Sequence, residues 1–126
     1  MREVNELAKR VIEISGQNVY SCYQCGCCSA GCMFTEMMDM LPNQAIALIQ
    51  RGDRSVLEKE TPWICASCFM CTVRCPRGLD VAAIMEALRE IRIRERDFVR
   101  VDLRRIENIE KLPQIAITAI AQKFTW

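Results

Sequence analysis

Eight of the nine cysteines in the chain fall into two runs of identical spacing. Cys22, Cys25, Cys28 and Cys32 make the first; Cys65, Cys68, Cys71 and Cys75, followed directly by Pro76, make the second. Each run reads C-x2-C-x2-C-x3-C, the spacing with which thiolates ligate a [4Fe–4S] cluster. Three cysteines two residues apart let one tight loop wrap a face of a cubane and supply three of its corners. The fourth is carried away from that loop, and where two such runs occur together it ligates the cluster of the other run. The spacing therefore predicts one cluster on Cys22, Cys25, Cys28 and Cys75, and a second on Cys65, Cys68, Cys71 and Cys32. Crossed ligation of this kind staples the two halves of the chain and fixes the clusters close enough for electron tunnelling.

Zinc is the competing chemistry. Zinc sites take four ligands, commonly as two separated pairs. Here each half offers four cysteines in one short run, and the sequence contains no histidine, so the doubled run favours clusters. The absence of histidine also excludes a Rieske centre and removes the usual general base and the Cys–His nucleophile pair. Cys27 lies outside the pattern. A register shifted through it would spoil the two-residue spacing, so it reads as a spare residue rather than as a redox-active thiol or alternative ligand. Trp63, Ile64, Phe69, Met70, Met33 and Phe34 flank the ligands and are expected to form an apolar shell that keeps water off the sulfurs and tunes their potential.

At 126 residues the chain is one domain's worth, with cluster ligation supplementing a modest core. A hydrophobic content of 51% with 26% charged residues is that of a globular protein. A formal net charge of +1 supplies no long-range field for nucleic acid or anionic membrane. Nine cysteines admit either a disulfide scaffold or a metal protein. Met1–Gln17 carries Arg2, Glu3, Glu6, Lys9, Arg10 and Glu13 and no apolar stretch fit for a signal peptide. The expected location is a reducing cytoplasm, where regularly spaced cysteines bind metal. No transmembrane segment is expected. The longest uncharged run, Ser15–Thr35, is full of Cys, Gly, Gln and Ser, and the apolar stretch Leu112–Gln122 is too short.

The elements around the cysteines read as helices. Val4, Leu7, Ala8, Val11 and Ile12 give an amphipathic helix over residues 3–15, with Gly16 as its left-handed stop. Residues 16–33 read as loop. Pro42 opens a helix over residues 42–51, with Ala45, Ile46, Leu48 and Ile49 on its apolar side and Gly52 at its end. Ser55 with Glu58 suggests a capping box for a short helix to Lys59, and Pro62 is expected to end helix before the second run. Asp80 is the predicted cap of the clearest helix, marked by Val81, Ile84, Met85, Leu88 and Ile91. Val99, Val101 and Leu103 alternate like a strand, but Leu103, Ile106, Ile109 and Leu112 fit a helix, and no second strand-like run offers a partner. Pro113 breaks that helix, and Ile117, Ile120, Ala121 and Phe124 mark a short apolar tail helix. The predicted class is all-α: one two-cluster domain over residues 1–112 and an apolar tail over 113–126, read as a docking segment that Phe124 and Trp126 would anchor, with a flap on the protein's own core as the alternative. Arg89–Arg105 holds seven arginines and four acidic residues with only Phe98 among them. RNA binding would want interleaved aromatics, so a face of i, i+4 ion pairs is the better reading.

The cysteine spacing alone says ferredoxin, but the flanks add more. NVYSCYQCGCCSAGC, MDMLPNQAIALIQRGDR and PWICASCFMCTVRCPRGLDVAAIMEALRE, spread between about Asn18 and Arg92, closely resemble the C subunit of heterodisulfide reductase and its relatives. The resemblance implies an α-helical ferredoxin domain with two [4Fe–4S] clusters on the eight cysteines assigned above. It implies a relay within a complex. Electrons would pass from an A-type protein with flavin and iron–sulfur centres to a catalytic B-type protein that carries unusual clusters on CCG motifs. The chain departs from the family pattern at Met33, where a proline usually follows the fourth cysteine, and is shorter after the second run than many members. Cys27 and Cys28 are followed by Ser29, so the chain has no CCG motif and is not expected to reduce a disulfide alone. The competing readings are a free-standing ferredoxin-like carrier, which would generally be strongly acidic, and a zinc-stapled interaction module.

Overall fold

A computed structural model describes residues 5–95 and 109–124. Every regular element among them is helical, which makes the fold all-α. The chain divides into two compact units, Met1–Arg92 and Ile93–Trp126.

In the first unit, α1 (Glu6–Ser15) and α3 (Pro42–Arg51) end alike, at Gly16 with φ 68° and Gly52 with φ 77°. Only a residue without Cβ takes that left-handed stop at little cost. Asn5 joins the two helices. Its Oδ1 accepts from the Ala8 amide at 2.6 Å, capping α1, while its Nδ2 reaches the carbonyls of Ile49 and Gln50 at 3.1 Å, in the last turn of α3. Leu7, Ala8 and Val11 of α1 and Ala45, Ile46 and Ile49 of α3 are buried in one core with residues of α6 (Val81–Glu95). That helix contributes Val81, Ile84, Met85, Leu88 and Ile91, and Asp80 caps it by accepting from the Ala83 amide at 3.0 Å. Val19, Met40, Val56, Leu57 and Cys28 complete the same core, so the cysteine segments rest on packed helices rather than on one another alone.

The first cysteine segment, expected as plain loop, contains a 3-10 turn at Val19–Ser21 and one α-helical turn, α2 (Cys27–Ala30). The second has the matching parts, α4 (Thr61–Ile64) and α5 (Met70–Arg74). Pro62 does not end a helix here. It sits inside the first turn of α4, where its missing N–H costs nothing. Ser55 is not a cap either. Asp53 takes that role, its Oδ1 accepting from the Ser55 amide at 2.9 Å ahead of a 3-10 turn at Arg54–Glu58. The start of α4 is fixed by Asp39, whose carboxylate accepts from the amides of Glu60 (3.2 Å) and Thr61 (3.0 Å). The fully buried Thr61 hydroxyl accepts in turn from the Met40 amide at 3.0 Å.

The two segments share a backbone as well as a spacing. Gln24 and Ser67, just before the second cysteine of each run, have φ 64° and 52°. Gly26 and Phe69, just after it, have φ 80° and 62°. A left-handed residue directly before a helical one, as Gly26 before Cys27 and Phe69 before Met70, makes a concave turn of the kind with which a backbone surrounds an anion. Phe69 is a bulky residue in the left-handed region, where the first run has glycine, a conformation that ordinarily costs about 1–2 kcal/mol.

In the second unit, a 3-10 turn at Ile109–Lys111 leads through Pro113 to α7 (Gln114–Phe124), and Ile115 is exposed. Most of the expected helix or strand over residues 99–112, the arginine-rich stretch beyond Glu95, and Trp126 lie outside the described residues.

Two substitutions test this framework by denaturant unfolding. Thr61→Val keeps the shape but leaves the buried Met40 amide without an acceptor, and should cost about 1–3 kcal/mol. Gly26→Ala meets no atom within 4 Å of the added Cβ, so its cost should be backbone strain alone, about 1 kcal/mol. An unchanged midpoint in either would show that the contact or the left-handed turn is not needed.

Candidate iron–sulfur centre

Residues just ahead of the ligands decide where each run begins. In the first, Gln50 near the end of α3 donates from Nε2 to the carbonyls of Val19 (2.8 Å) and Cys22 (3.0 Å). In the second, Arg89 of α6 donates from its guanidinium to the carbonyls of Pro62 and Cys65. Pro62 and Cys65 are the counterparts of Val19 and Cys22 at the 43-residue offset between the runs, counted from Cys22 to Cys65. One side chain per half thus pins the peptide groups that launch the ligand loop onto a core helix. Neither residue stands out in the sequence, Gln50 being one polar residue of an amphipathic helix and Arg89 one of many arginines.

The two halves meet at their helical turns, α2 lying alongside α5. Ser29 in α2 is tied to the start of α3, its hydroxyl donating to Asn43 Oδ1 at 2.6 Å and accepting from the Asn43 amide at 3.1 Å. The turn after Cys75 returns to the first half, where Arg77 Nε donates to the Ser21 carbonyl at 3.2 Å. The Leu79 amide donates to Cys75 Sγ at 3.4 Å, and Gln24 Nε2 to Cys22 Sγ at 3.5 Å.

One cavity brings Cys32 together with Cys65, Cys68 and Cys71. Three of these come from the second run and the fourth from the first. Phe34, Met38, Met70, Val81 and Met85 are the large apolar side chains of its wall. Cys75 is close enough to Cys27 for its charge to act on that thiol. The Cys27 thiol is pushed up first by its hydrogen bond to Cys25 and by that residue's charge, then by partial desolvation and by Cys75. Cys25 is lowered, chiefly by the hydrogen bond from the Cys27 backbone. Burial raises Cys28, with the charge of Cys22 adding to it, and burial raises Cys71, with Cys65 and Cys28 adding to it. Thiolates crowded this way repel one another, and a bound cationic iron core is what would offset that repulsion.

Among the described residues, no group of three or more Cys, Asp or Glu side chains converges on a point that would hold a single metal ion. Thiolates spread around the walls of a cavity fit a multi-iron cluster, which takes its ligands at separate corners. The donor set is sulfur throughout, the set that [4Fe–4S] clusters use. The residues therefore fit such a group.

The expected apolar shell is only partly where the sequence suggests. Met33 is 73% exposed and Phe69 52%, and Trp63 and Met70 are also exposed, so these side chains do not seal the sulfurs from water. Phe34 and Met70 do line the cavity, but its apolar wall depends more on Met38, Val81 and Met85. Those residues lie just beyond the runs, Met38 in the loop after Cys32 and Val81 and Met85 in α6 after Cys75, outside the immediate flanks of the ligands.

Residues 18–79 match the family described as a 4Fe-4S dicluster domain. The chain is 40% identical over 74 residues to the C subunit of ferredoxin:CoB-CoM heterodisulfide reductase from Methanosarcina acetivorans, a match covering 59% of this chain and 30% of that protein. It is 27% identical over 106 residues to the protein of the same name from Methanosarcina mazei, covering 84% of this chain and 65% of the relative. It is also 34% identical over 100 residues to a heterodisulfide reductase protein of the C-subunit-like type from Archaeoglobus profundus, covering 75% and 53%. The chain thus spans less than two thirds of the length of these relatives. No helix among the described residues is long and apolar enough to cross a membrane. The chain is a homologue of the C subunits of heterodisulfide reductases over the matched residues, and its residues 18–79 carry the 4Fe-4S dicluster domain.

Proposed function

We propose that the chain is an electron-relay subunit with two [4Fe–4S] clusters, one on Cys22, Cys25, Cys28 and Cys75 and one on Cys65, Cys68, Cys71 and Cys32. When bound, such clusters accept and release single electrons. The chain's own residues hold the sulfurs in place and set the polarity around them. The observation that carries the reading is the cavity that Cys32 shares with the three leading cysteines of the second run. The Arg77–Ser21 contact and the neighbourhood of Cys75 and Cys27 support the reciprocal exchange.

In this reading the relay works in the cytoplasm, inside a heterodisulfide reductase-like complex. Electrons enter from an A-type flavin and iron–sulfur protein and leave to a B-type CCG protein. The names of the relatives and their shared dicluster domain support that assignment. The chain itself has no histidine and no CCG motif, so the reaction at the terminal acceptor falls to a partner.

Cys75→Ser should abolish the cluster built on Cys22, Cys25 and Cys28 and leave the other. Electron paramagnetic resonance of the reduced variant checks this, and loss of the Cys65/Cys68/Cys71 signal instead would contradict the crossed ligation. Anaerobic purification of the tagged chain from its native cells should bring down a CCG-type protein and a flavoprotein in fixed stoichiometry. A stable monomer that reduces unrelated enzymes would point to a free carrier instead.

A further inference from the structure

The two halves repeat in backbone and spacing but differ in the charge of the residue that pins them. Gln50 holds the Val19 and Cys22 carbonyls with a neutral amide, and Arg89 holds the matching Pro62 and Cys65 carbonyls with a cation. The Arg89 side chain is only 18% exposed, so water screens it weakly. Its counterion, Glu86 at 2.7 Å, is 63% exposed and so offsets the arginine's charge only in part. A second cation lies along the same segment. Arg92 sits 5.7 Å from the Trp63 ring centroid, and its Nη1 donates to the Lys59 carbonyl at 3.2 Å. Arg77, which reaches the Ser21 carbonyl, and Arg74, whose side chain lies beside Gly31, are both exposed.

We propose that Arg89 is a potential-setting residue as well as an anchor: its partly buried charge holds the cluster of Cys65, Cys68, Cys71 and Cys32 at a more positive potential than a neutral anchor would. The inference rests on the two-cluster reading. Adding one electron makes a cluster and its thiolates one charge more negative, and a fixed cation close to the Cys65 peptide favours that state. The first cluster receives no such charge from Gln50. Its thiolates have the two N–H···S contacts from Gln24 and Leu79, which Arg89 does not touch. The effect of Arg89 should therefore be confined to one cluster.

The test is Arg89→Gln, which offers the same carbonyls the amide that Gln50 offers theirs while removing the charge. Redox titration followed by electron paramagnetic resonance, with signals assigned by Cys25→Ser and Cys68→Ser, reads each cluster separately. Iron and sulfide are counted first, in wild type and variant. The expected result is full cluster content, a more negative midpoint for the second cluster, and a several-fold lower reduced fraction of that cluster at a fixed potential. The first cluster should not move. Equal midpoints in variant and wild type, or equal shifts in both clusters, would overturn the inference while leaving the two-cluster reading intact; a wild-type chain without iron and sulfide would overturn both. If Arg89→Gln fails to take up clusters, Glu86→Gln decides at an exposed position. It should move the second midpoint alone to more positive potential, and an unmoved midpoint there would overturn the proposal.

Discussion

Four thiolates drawn from opposite halves of a short chain repel one another and lose conformational freedom when brought together. They can meet only if something other than the sulfurs holds the two halves. Here that is the helical core of α1, α3 and α6, onto which each ligand loop is pinned by a side chain reaching main-chain carbonyls ahead of its first cysteine. Asn5 and Asp39 fix helix ends in the same way, with side-chain groups that satisfy main-chain amides and carbonyls. With those loops set, α2 and α5 come side by side, and Cys32 reaches the cavity of the second run.

The repeat has a limit that bears on function. Both runs use left-handed residues on either side of the second cysteine, yet one uses Gly26 and the other Phe69. Both are anchored at equivalent carbonyls, yet one anchor is neutral and the other charged. The shared geometry is what binding a cubane demands of a loop. The differences fall in the residues that set local strain and local charge, where two sites of one relay have reason to diverge.

Much of this is legible in the sequence because it depends on local pattern. The stripes of α1, α3 and α6, the stops at Gly16 and Gly52, the Asp80 cap and both cysteine runs follow from residue type and spacing over one or two turns. The helical turns inside the runs are not legible, because small polar residues carry no apolar period. Gln50 and Arg89 are hidden for another reason: they act on Cys22 and Cys65 across 28 and 24 residues of chain, and only packing determines which carbonyls they meet. The exposure of Met33 and Phe69 is equally out of reach. Adjacency to a ligand does not fix which way a side chain points, and at Phe69 the backbone also turns left-handed.

The account stands on the claim that these eight cysteines hold two iron–sulfur cubanes. Anaerobic metal and acid-labile sulfide analysis of the purified chain tests it most directly. About eight iron and eight sulfide per chain are predicted, as two [4Fe–4S] clusters require. About two zinc ions with no sulfide, the content of two tetrahedral cysteine sites, would contradict it.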